Sequence, residues 1–459
     1  MSIAAALFHS TDVENETLHR RIMPSDEQRT AQSLRWNELA EYLSEWLKEK
    51  TGFNVKTWIQ GSYKFGTQVR PARMNEEFDI DLGVYLEWSG NAEDEMDASV
   101  LKGHVQSGIV SYAAVADGVT SVTVPPKERC ARISYADHFH IDVPGYHFDS
   151  DRDIRSLATQ TLGWEASDPK ALVVWFRENV GDDDDRTQLR RVVRYLKTWA
   201  ALKFELSSRP SSIMLTVLAT NAFQTISKDL TDDDDVLEAV ICKVVQEFEA
   251  DTTVQNPVDT SENLNRLSDV DSGRFLDQLQ IFHETATRAI AATTLVDASD
   301  IWTEAFEHFF PAPDQDETDG SNSSHALIVV KPIDVQVTAT PRSGFGRTYR
   351  GTNAIGPIPK DCDIKFHVLT PLPPMTQIRW VVRNSGSEAD DKNDLGHCVQ
   401  ERDITTSERS AYNGTHFMDC IAREDGRLIG YRRVQVIIND GVGRNPYRPN
   451  LIKYYKRRR

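Results

Sequence analysis

Hydrophobic and polar residues alternate most clearly between residues 78 and 85. One face of this segment carries four apolar residues, Phe78, Ile80, Leu82 and Val84. The opposite face carries Asp79 and Asp81, followed by Gly83 and Tyr85. Because the side chains of a strand point alternately to its two faces, the pattern predicts a β-strand with one buried face.

Further patterns predict the rest of an N-terminal sheet and a helix that covers it. An amphipathic helix is predicted over residues 25–51, since a capping serine and a terminal glycine flank its apolar stripe. Short strands are predicted over three segments, residues 55–60, 130–135 and 139–143. The dipeptide Gly61-Ser62 directly follows the first of them and predicts a turn.

Helical spacing dominates between residues 186 and 310, where apolar residues recur at i, i+3, i+4 and i+7. Four helices are predicted there, over residues 186–204, 212–225, 236–249 and 275–292. Residues 311–324 are rich in Pro, Asp and Ser, which is typical of a linker.

Strand patterns dominate after this linker. Six strands are predicted, over residues 327–332, 334–340, 362–369, 377–384, 415–424 and 434–438. Trp380 lies within the fourth strand, and Tyr412 precedes the fifth as in the tyrosine corner of immunoglobulin domains. These features predict a small Ig-like sandwich over residues 325–442, followed by a basic tail at residues 443–459.

The composition is that of a globular protein, and its net negative charge bears on whether the protein binds nucleic acid. The 459 residues include 70 acidic and 52 basic side chains, which give a net charge of −18. This balance disfavours stable DNA or RNA binding, which needs many contacts from Lys or Arg to phosphate. No apolar run approaches the ~20 residues that span a bilayer. The start lacks the features of a signal peptide. The five cysteines form no paired motif of the kind that holds zinc or a disulfide framework. We therefore expect a cytoplasmic protein with no membrane partner.

The two carboxylates of the alternating strand are the first candidates for chemistry. Asp79 and Asp81 are expected about 7 Å apart along the strand. They repel each other unless a cation lies between them, and two Mg²⁺ ions, or Mn²⁺ in their place, meet that need. Gly61-Ser62 offers backbone N–H groups and a hydroxyl to phosphate oxygens. Asp142 is the candidate third carboxylate, which positions and deprotonates an attacking hydroxyl. A phosphate-binding turn combined with metal-binding carboxylates is typical of a nucleotidyltransferase.

Basic residues supply candidate contacts to phosphate. Arg190, Arg194 and Lys197 share one flank of the helix predicted over residues 186–204. Such a row either meets a triphosphate or forms a solvated basic face. Arg132 either clamps a phosphate or a base edge, or has a structural role.

One aromatic residue and two serines complete the candidates. Phe65 either stacks on a nucleotide base or packs in the core. Ser211 and Ser212 follow a proline at a predicted helix start, where they either cap the helix or bind phosphate at its N-terminus.

Six motifs, taken in order, resemble one enzyme family. They are Gln60-Gly61-Ser62-Tyr63-Lys64-Phe65-Gly66-Thr67, Phe78-Asp79-Ile80-Asp81, His140-Ile141-Asp142-Val143-Pro144, Ser167-Asp168-Pro169-Lys170, Arg194-Tyr195-Leu196-Lys197-Thr198-Trp199 and Pro210-Ser211-Ser212-Ile213. The set resembles the bacterial cGAS/DncV-like nucleotidyltransferases (CD-NTases) of CBASS anti-phage systems, and is most similar to the DncV-type cyclic GMP-AMP synthases. The resemblance covers roughly residues 25–305. The chain after about residue 325 resembles the AGS-C sensor domain that is fused to some of these enzymes.

The resemblance implies an α+β fold. A polymerase-β-like core sheet in residues 1–185 is backed by a helical lobe at residues 186–310, which completes the nucleotide cleft. The implied metal ligands are Asp79, Asp81 and Asp142. The implied contacts to the donor triphosphate are Ser62, Lys197 and Ser212, with Phe65 stacked on a base.

The activity expected from the resemblance is synthesis of a cyclic dinucleotide from ATP and GTP. The preferred product is 3′,3′-cyclic GMP-AMP. A downstream effector protein is expected to bind this product. Three alternatives stay open: a linear oligonucleotide synthase, a transferase acting on RNA or protein, and a catalytically inactive module that senses nucleotides. The C-terminal domain is expected either to sense an unknown phage cue or to serve in docking.

Overall fold

The structure, a computed structural model, describes residues 2–74, 76–312, 331–344, 346–401 and 403–441. The chain forms two compact units, Met1–Phe306 and Glu307–Arg459. The predicted linker beyond residue 312 and the predicted tail at residues 443–459 lie outside the described residues. The predicted domain boundaries stay predictions. Among the described helices, none combines the length and the apolar composition needed to cross a bilayer.

The first unit contains helices and strands in mixed order. Its described helices are α1 (Ala5–Phe8), α2 (Leu18–Ile22), α3 (Asp26–Thr51), α4 (Gly61–Phe65), α5 (Ala98–Ala113), α6 (Pro169–Glu178), α7 (Asp183–Lys203), α8 (Ser212–Phe223), α9 (Asp233–Ala250), α10 (Asp269–Ile290) and α11 (Leu295–Phe306). Its described strands are β1 (Asn54–Gln60), β2 (Phe78–Glu87), β3 (Val119–Val122), β4 (Ala131–Tyr135), β5 (Phe139–Val143), β6 (Gly145–Asp149), β7 (Ile154–Ala158), β8 (Trp164–Ala166), β9 (Gln255–Asn256) and β10 (Asp259–Asn263). The helix predicted over residues 25–51 is α3, which begins with a capping box between Ser25 and Gln28 and ends at Gly52 in the left-handed conformation.

Strand β2 is the centre of an eight-stranded sheet. The order is β3-β4-β5-β2-β6-β7-β8, with β1 also paired to β2. Strand β2 runs antiparallel to β1 and parallel to β5 and β6. The face that the alternation predicted as apolar is buried, and it shares one core with α3 and α5. The opposite face is left for the carboxylates.

The helical part of the first unit packs around a group of aromatic rings. Trp199 of α7 stacks on Phe282 of α10 with ring centroids 4.8 Å apart. Phe8 of α1 packs edge-on against Tyr195 and Trp302. The N-terminal segment, for which the periodicity predicts no element, is therefore part of this core.

The second unit is built from strands. They are β11 (Lys331–Pro332), β12 (Val335–Pro341), β13 (Tyr349–Thr352), β14 (Ala354–Ile358), β15 (Cys362–Val368), β16 (Gln377–Arg383), β17 (Gly396–Glu401), β18 (Thr405–Arg409), β19 (Gly414–Glu424) and β20 (Arg427–Ile438), with one short helix, α12 (Ser387–Asp391). One sheet has the order β11-β20-β19-β16-β17, with β14 also paired to β20, and the other has the order β13-β12-β15-β18. Apolar residues of both sheets form a single core around the fully buried Trp380. The α+β class with an all-β C-terminal part is confirmed.

One detail of the sandwich prediction is wrong. The hydroxyl of Tyr412 donates to Oδ2 of Asp394 at 2.8 Å, whereas the hydroxyl of a tyrosine corner bonds to the backbone a few residues upstream. A carboxylate from the segment after α12 has taken the place of that carbonyl.

Candidate active site

Gly61 and Asp81 come together where β1 ends. Gln60, the last residue of β1, pairs with Asp81 in antiparallel register. Gly61 has a φ of 59° and begins the five-residue helix α4. A Cβ at residue 61 would stand 1.9 Å from Oδ2 of Asp81. Glycine is therefore required both by the left-handed backbone and by the space that the carboxylate occupies.

Strand register brings the predicted carboxylates together. The parallel neighbours β2 and β5 pair Asp79 with His140 and Asp81 with Asp142. Asp79, His140 and Asp142 each offer one ligand atom, and these atoms lie within 4.8 Å of one another. Asp79 is exposed while Asp142 is buried, so the cluster runs from the surface into the sheet.

Two cations hold the carboxylate of Asp142. Arg132, its register partner on β4, donates to Asp142 from Nε and, at 2.7 Å, from Nη2. Nζ of Lys127 lies 3.3 Å from Oδ2 of the same carboxylate. Burial alone would raise the pKa of Asp142, but Arg132 and Lys127 outweigh it and lower that pKa. The carboxylate is therefore ionised.

His140 bridges Asp79 of the neighbouring strand β2 and Glu77, which directly precedes that strand. Its Nε2 lies 2.8 Å from Oδ1 of Asp79, and its Nδ1 lies 3.0 Å from Oε2 of Glu77. Nη2 of Arg132 lies 3.8 Å from the same oxygen of Asp79. Asp79 therefore has the imidazole ring of His140 and the guanidinium group of Arg132 within ion-pair distance.

The acidic residues fit a divalent cation. Burial, together with the charges of Asp79 and Asp142, raises the pKa of Asp81. Burial is the largest cause of this shift, and a divalent cation would relieve the part that comes from the two neighbouring carboxylates. Carboxylate oxygens are the ligands that Mg²⁺ and Mn²⁺ prefer. Asp79 and Asp142 offer such oxygens in the cluster that also contains His140. The assignment of Asp79, Asp81 and Asp142 as metal ligands stays a prediction, as does the number of ions.

The basic row of α7 faces the end of α4. Arg190, Arg194 and Lys197 each donate a hydrogen bond to this segment, at 3.0, 2.5 and 3.0 Å. Their acceptors are, in order, the carbonyl of Phe65, the carbonyl of Gly66 and the hydroxyl of Thr67. The row is therefore not a solvated basic face, because it fixes the backbone that follows the predicted phosphate-binding turn.

Burial lowers the pKa of all three residues of this row, Arg190, Arg194 and Lys197. Burial and the charge of Arg194 lower the pKa of Lys197 to about 7, although Asp81 and Asp79 act in the opposite direction. Burial lowers the pKa of Arg194 to about 10. The ammonium group of Lys197 therefore lies in the field of the carboxylates, and its charge changes near neutral pH.

Phe65 and Ser62 both lie on the short helix α4. Phe65 is buried, and its ring meets that of Phe176 edge-on with centroids 5.3 Å apart. This contact corresponds to the core-packing alternative for Phe65. The carbonyl of Ser62 accepts a hydrogen bond from the N–H of Thr67 at 2.9 Å. The roles of both residues toward a nucleotide stay predictions.

The predicted serine pair lies at the start of α8. Oγ of Ser211 accepts from the N–H of Met214 at 3.3 Å, as a helix cap does. Ser212 is exposed at the first position of the helix. Just before them, Arg209 donates to Oε1 of Glu76 at 2.6 Å. This ion pair ties the start of α8 to the residues that precede β2, and the nucleotide-binding role of the two serines stays a prediction.

Two residues of the site were not singled out from the sequence. Glu77 continues the alternation by one step toward the N-terminus, so the face shared with Asp79 contained the information needed to find it. Lys127 follows two prolines in a loop, where no periodicity relates it to Asp142.

Three family models match the chain in consecutive segments. They describe the DncV-like nucleotidyltransferase domain of cyclic GMP-AMP synthase at residues 55–146, the C-terminal domain of that synthase at residues 186–313, and the adenylyl/guanylyl and SMODS C-terminal sensor domain at residues 314–439. The chain is similar to the DncV-like nucleotidyltransferases over the first two of these segments. The resemblance inferred from the six motifs is confirmed, and so is the similarity of the C-terminal part to the AGS-C domain.

Known relatives of this DncV-like chain include proteins with two product names. A cyclic GMP-AMP synthase of Escherichia albertii is 27% identical over 454 residues, which cover 95% of this chain and 96% of that protein. A cyclic GMP-AMP synthase of Vibrio cholerae is 25% identical over 260 residues, or 47% of this chain and 57% of that protein. A c-di-GMP synthase of Roseivirga ehrenbergii is 24% identical over 270 residues, or 50% of this chain and 67% of that protein.

Solved DncV structures share the fold. Escherichia coli DncV in its 3′-deoxy GTP bound form superposes with a TM-score of 0.57 and 22% identity, covering 67% of this chain and 97% of that one. The Vibrio cholerae DncV cyclic AMP-GMP synthase gives a TM-score of 0.56 and 20% identity, covering 68% of this chain and 98% of that one. At these identities the similarity shows the fold alone.

Proposed function

We propose that this DncV-like nucleotidyltransferase is a cyclic dinucleotide synthase, which joins two nucleoside triphosphates in two successive transfers. The observation that carries the proposal is the register of β2 and β5, which pairs Asp81 with Asp142 and Asp79 with His140. The turn at Gly61, whose backbone N–H groups are suited to phosphate, lies directly beside Asp81. The product name of a relative aligned over 95% of the chain favours this class over other nucleotidyl transfers.

The proposed product is 3′,3′-cyclic GMP-AMP, made from ATP and GTP. Relatives named cyclic GMP-AMP synthase support it. The relative named c-di-GMP synthase is the reason why the bases need direct measurement. Base choice depends on side chains at the base edges, and overall identities of 24 to 27% do not fix these.

Each transfer would use the carboxylates in two ways. Asp79, Asp81 and Asp142 would hold two Mg²⁺ or Mn²⁺ ions, which supply charge neutralisation on the attacking and leaving oxygens. The ionised Asp142 would align a ribose hydroxyl and accept its proton. The hydroxyl oxygen then forms a bond to the α-phosphorus of the donor nucleotide, and the bond to pyrophosphate breaks. A second transfer in the same cleft closes the ring.

The nucleotides would be held by residues around this cluster. The proposed set is Gly61, Ser62, Phe65, Arg132, Arg194, Lys197, Ser211 and Ser212. Arg132 already reaches both Asp142 and Asp79, so a phosphate would compete with carboxylates for its guanidinium group. Phe65 would have to turn away from Phe176 to stack on a base, since the two rings are now in contact.

The test is incubation of the purified full-length chain with all four labelled nucleoside triphosphates and Mg²⁺ or Mn²⁺, followed by phosphatase and mass spectrometry. A cyclic dinucleotide keeps its label through phosphatase, whereas a linear product loses the label of its 5′-triphosphate. We expect a phosphatase-resistant product with the mass of cyclic GMP-AMP, and none in EDTA. A product sensitive to phosphatase would instead identify a linear oligonucleotide synthase.

The paired variant Asp79→Asn with Asp81→Asn tests the site assignment. It should abolish product while leaving the melting temperature within a few degrees, because it removes charge without changing shape. Asp117→Asn is the matched control, since Asp117 is exposed in the loop before β3. A chain that makes no product in either form, yet still binds nucleotides, would be the inactive sensing module.

We further propose that synthesis takes place in the cytoplasm and serves CBASS anti-phage signalling, in which the product activates a downstream effector. The match to a sensor-domain model supports a role for the C-terminal unit in detecting a phage cue. Deletion of residues 325–459 should change the basal rate or its response to infected-cell extract. A rate unchanged in both conditions would favour a docking role.

A further inference from the structure

A cavity of about 150 Å³ lies between the two sheets of the C-terminal unit. Its apolar lining comes from both sheets and is formed by six buried side chains, Ile364, Phe366, Val382, Met418, Val436 and Ile438. An apolar cavity of about this volume accommodates one aromatic ring. The space is therefore suited to the body of a small organic molecule.

Polar side chains from three segments surround the mouth of the cavity. They are Asp394, His397, Glu408 and Tyr412. His397 and the neighbouring Ala411 are exposed, which places the mouth at this edge of the sandwich. Nε2 of His397 lies 3.0 Å from Oε1 of Glu408. Because His397 is on β17 and Glu408 on β18, this pair joins the two sheets across the mouth.

Hydrogen-bond acceptors exceed donors at the mouth. Within the part of the chain that the structure describes, Oε2 of Glu408 has no hydrogen-bond partner. Oδ1 of Asp394 accepts only a long hydrogen bond from Asn384, at 3.4 Å. Arg409 also lines the cavity, but its guanidinium group is paired with Asp361. Two carboxylates with open acceptor positions beside an apolar cavity favour a ligand that carries N–H donors and positive charge.

We propose that this cavity is a binding site for a small organic amine. A ring-sized apolar body enters between the sheets, and the protonated nitrogen donates to Glu408 and Asp394. The acceptors are Oε2 of Glu408 and Oδ1 of Asp394, so the contact between His397 and Oε1 of Glu408 is kept. The site lies in the segment that matches a sensor-domain model. The ligand class proposed for that domain is therefore a small organic amine.

The experiment uses the full chain and two probes with the same ring, benzylamine and benzoate, observed by saturation-transfer NMR titration. We expect benzylamine to bind at least about tenfold more tightly than benzoate, because one charge-assisted hydrogen bond is worth about that factor. Glu408→Gln keeps the shape and should weaken benzylamine about tenfold. Glu424→Gln, in the β19–β20 hairpin of the same unit, should leave the affinity unchanged.

A second variant guards against indirect effects. Ala411→Trp places a large side chain at the exposed mouth without entering the core, so it should preserve the melting temperature and abolish benzylamine binding. Equal binding to this variant, equal affinity for the two probes, or no binding of benzylamine to the wild-type chain would each overturn the proposal.

Discussion

Gly61 and Asp81 are packed so closely that no side chain fits between them, since a Cβ at residue 61 would lie 1.9 Å from Oδ2 of Asp81. The contact follows from the pairing of Gln60 with Asp81 across β1 and β2. It couples the turn proposed for phosphate to the carboxylates proposed for metal. Any shift of one therefore moves the other.

Gly61→Ala should lower kcat by about a hundredfold, because a displacement of about 1 Å at a reacting centre costs that much. The variant also loses about 1 kcal/mol of stability from an alanine in the left-handed conformation. Gly52→Ala is the matched control: Gly52 has a φ of 77° but nothing within 4 Å of an added Cβ. It should lose only the part of the stability that comes from the left-handed backbone, and it should keep full activity. Steady-state kinetics and thermal melting of the two variants check this. Equal activities would mean that the contact between residue 61 and Asp81 does not affect catalysis.

Much of the sheet and its carboxylates could be predicted from local pattern alone. The alternation from Phe78 to Val84 identified both the buried face and the acidic face of β2, because strand geometry fixes which residues share a face. The helix α3 could be predicted because its capping box and terminal glycine are adjacent in sequence to its apolar stripe. The metal-binding and nucleotide-binding roles of the residues on that acidic face stay predictions.

Contacts between distant segments could not be predicted in this way. Helices α1 and α2 have four and five residues, which is too short for a periodic pattern. The burial of Phe8 against Tyr195 depends on tertiary packing across most of the first unit. Likewise, nothing local indicated that Arg190 and Arg194 would bind the backbone carbonyls at the end of α4.

Lys197 should make nucleotide affinity depend on pH near neutrality. Its pKa is lowered to about 7, first by burial and then by Arg194, so the ammonium group is charged below this pH and neutral above it. Affinity for a non-hydrolysable nucleoside triphosphate should therefore fall by up to about tenfold as the pH rises from 6 to 8.5, since one charge-assisted contact is lost. Equilibrium titration calorimetry at several pH values measures it.

Two substitutions at this position separate the lysine from other titrating groups. Lys197→Arg keeps its charge over the whole pH range, so its affinity should stay at the high value that the wild type shows at low pH. Lys197→Met carries no charge, so its affinity should stay at the low value that the wild type shows at high pH. If both variants keep the wild-type pH dependence, another group is responsible and Lys197 does not contact the triphosphate.

His19 should make the first unit sensitive to acid. Burial and the charge of Arg194 lower its pKa to about 3, and Arg194 donates to its neutral Nε2 at 2.9 Å. In the unfolded chain the pKa is about 6.5, so between these values the unfolded state binds a proton that the folded state does not. Stability should therefore fall with decreasing pH below 6.5, by about 1.4 kcal/mol per pH unit for one proton.

His19→Gln preserves an acceptor for Arg194 but cannot titrate, so the slope of unfolding free energy against pH between 4 and 6 should become shallower by about that amount. Urea unfolding followed by tryptophan fluorescence gives the slope. His104→Gln on α5 serves as the control and should keep the wild-type slope. An unchanged slope in the His19 variant would contradict a buried neutral histidine.

Asp419 should be essential to the stability of the C-terminal unit. It is fully buried on β19, and it accepts from Nε of Arg383 at 2.6 Å and from Nε of Arg433 at 2.9 Å. Burial would raise the pKa of Asp419, but the two guanidinium groups outweigh it and lower that pKa. Asp419→Asn removes the carboxylate that pairs with the buried Arg383 and the partly buried Arg433, which should cost about 3–5 kcal/mol. Hydrogen exchange at the amides of β16 and β19 should accelerate accordingly, whereas Asp391→Asn, an exposed change in the same unit, should leave it unaltered. Slow exchange in both variants would mean that the arginines find other acceptors and that the buried ion pairs are not what holds the sheet.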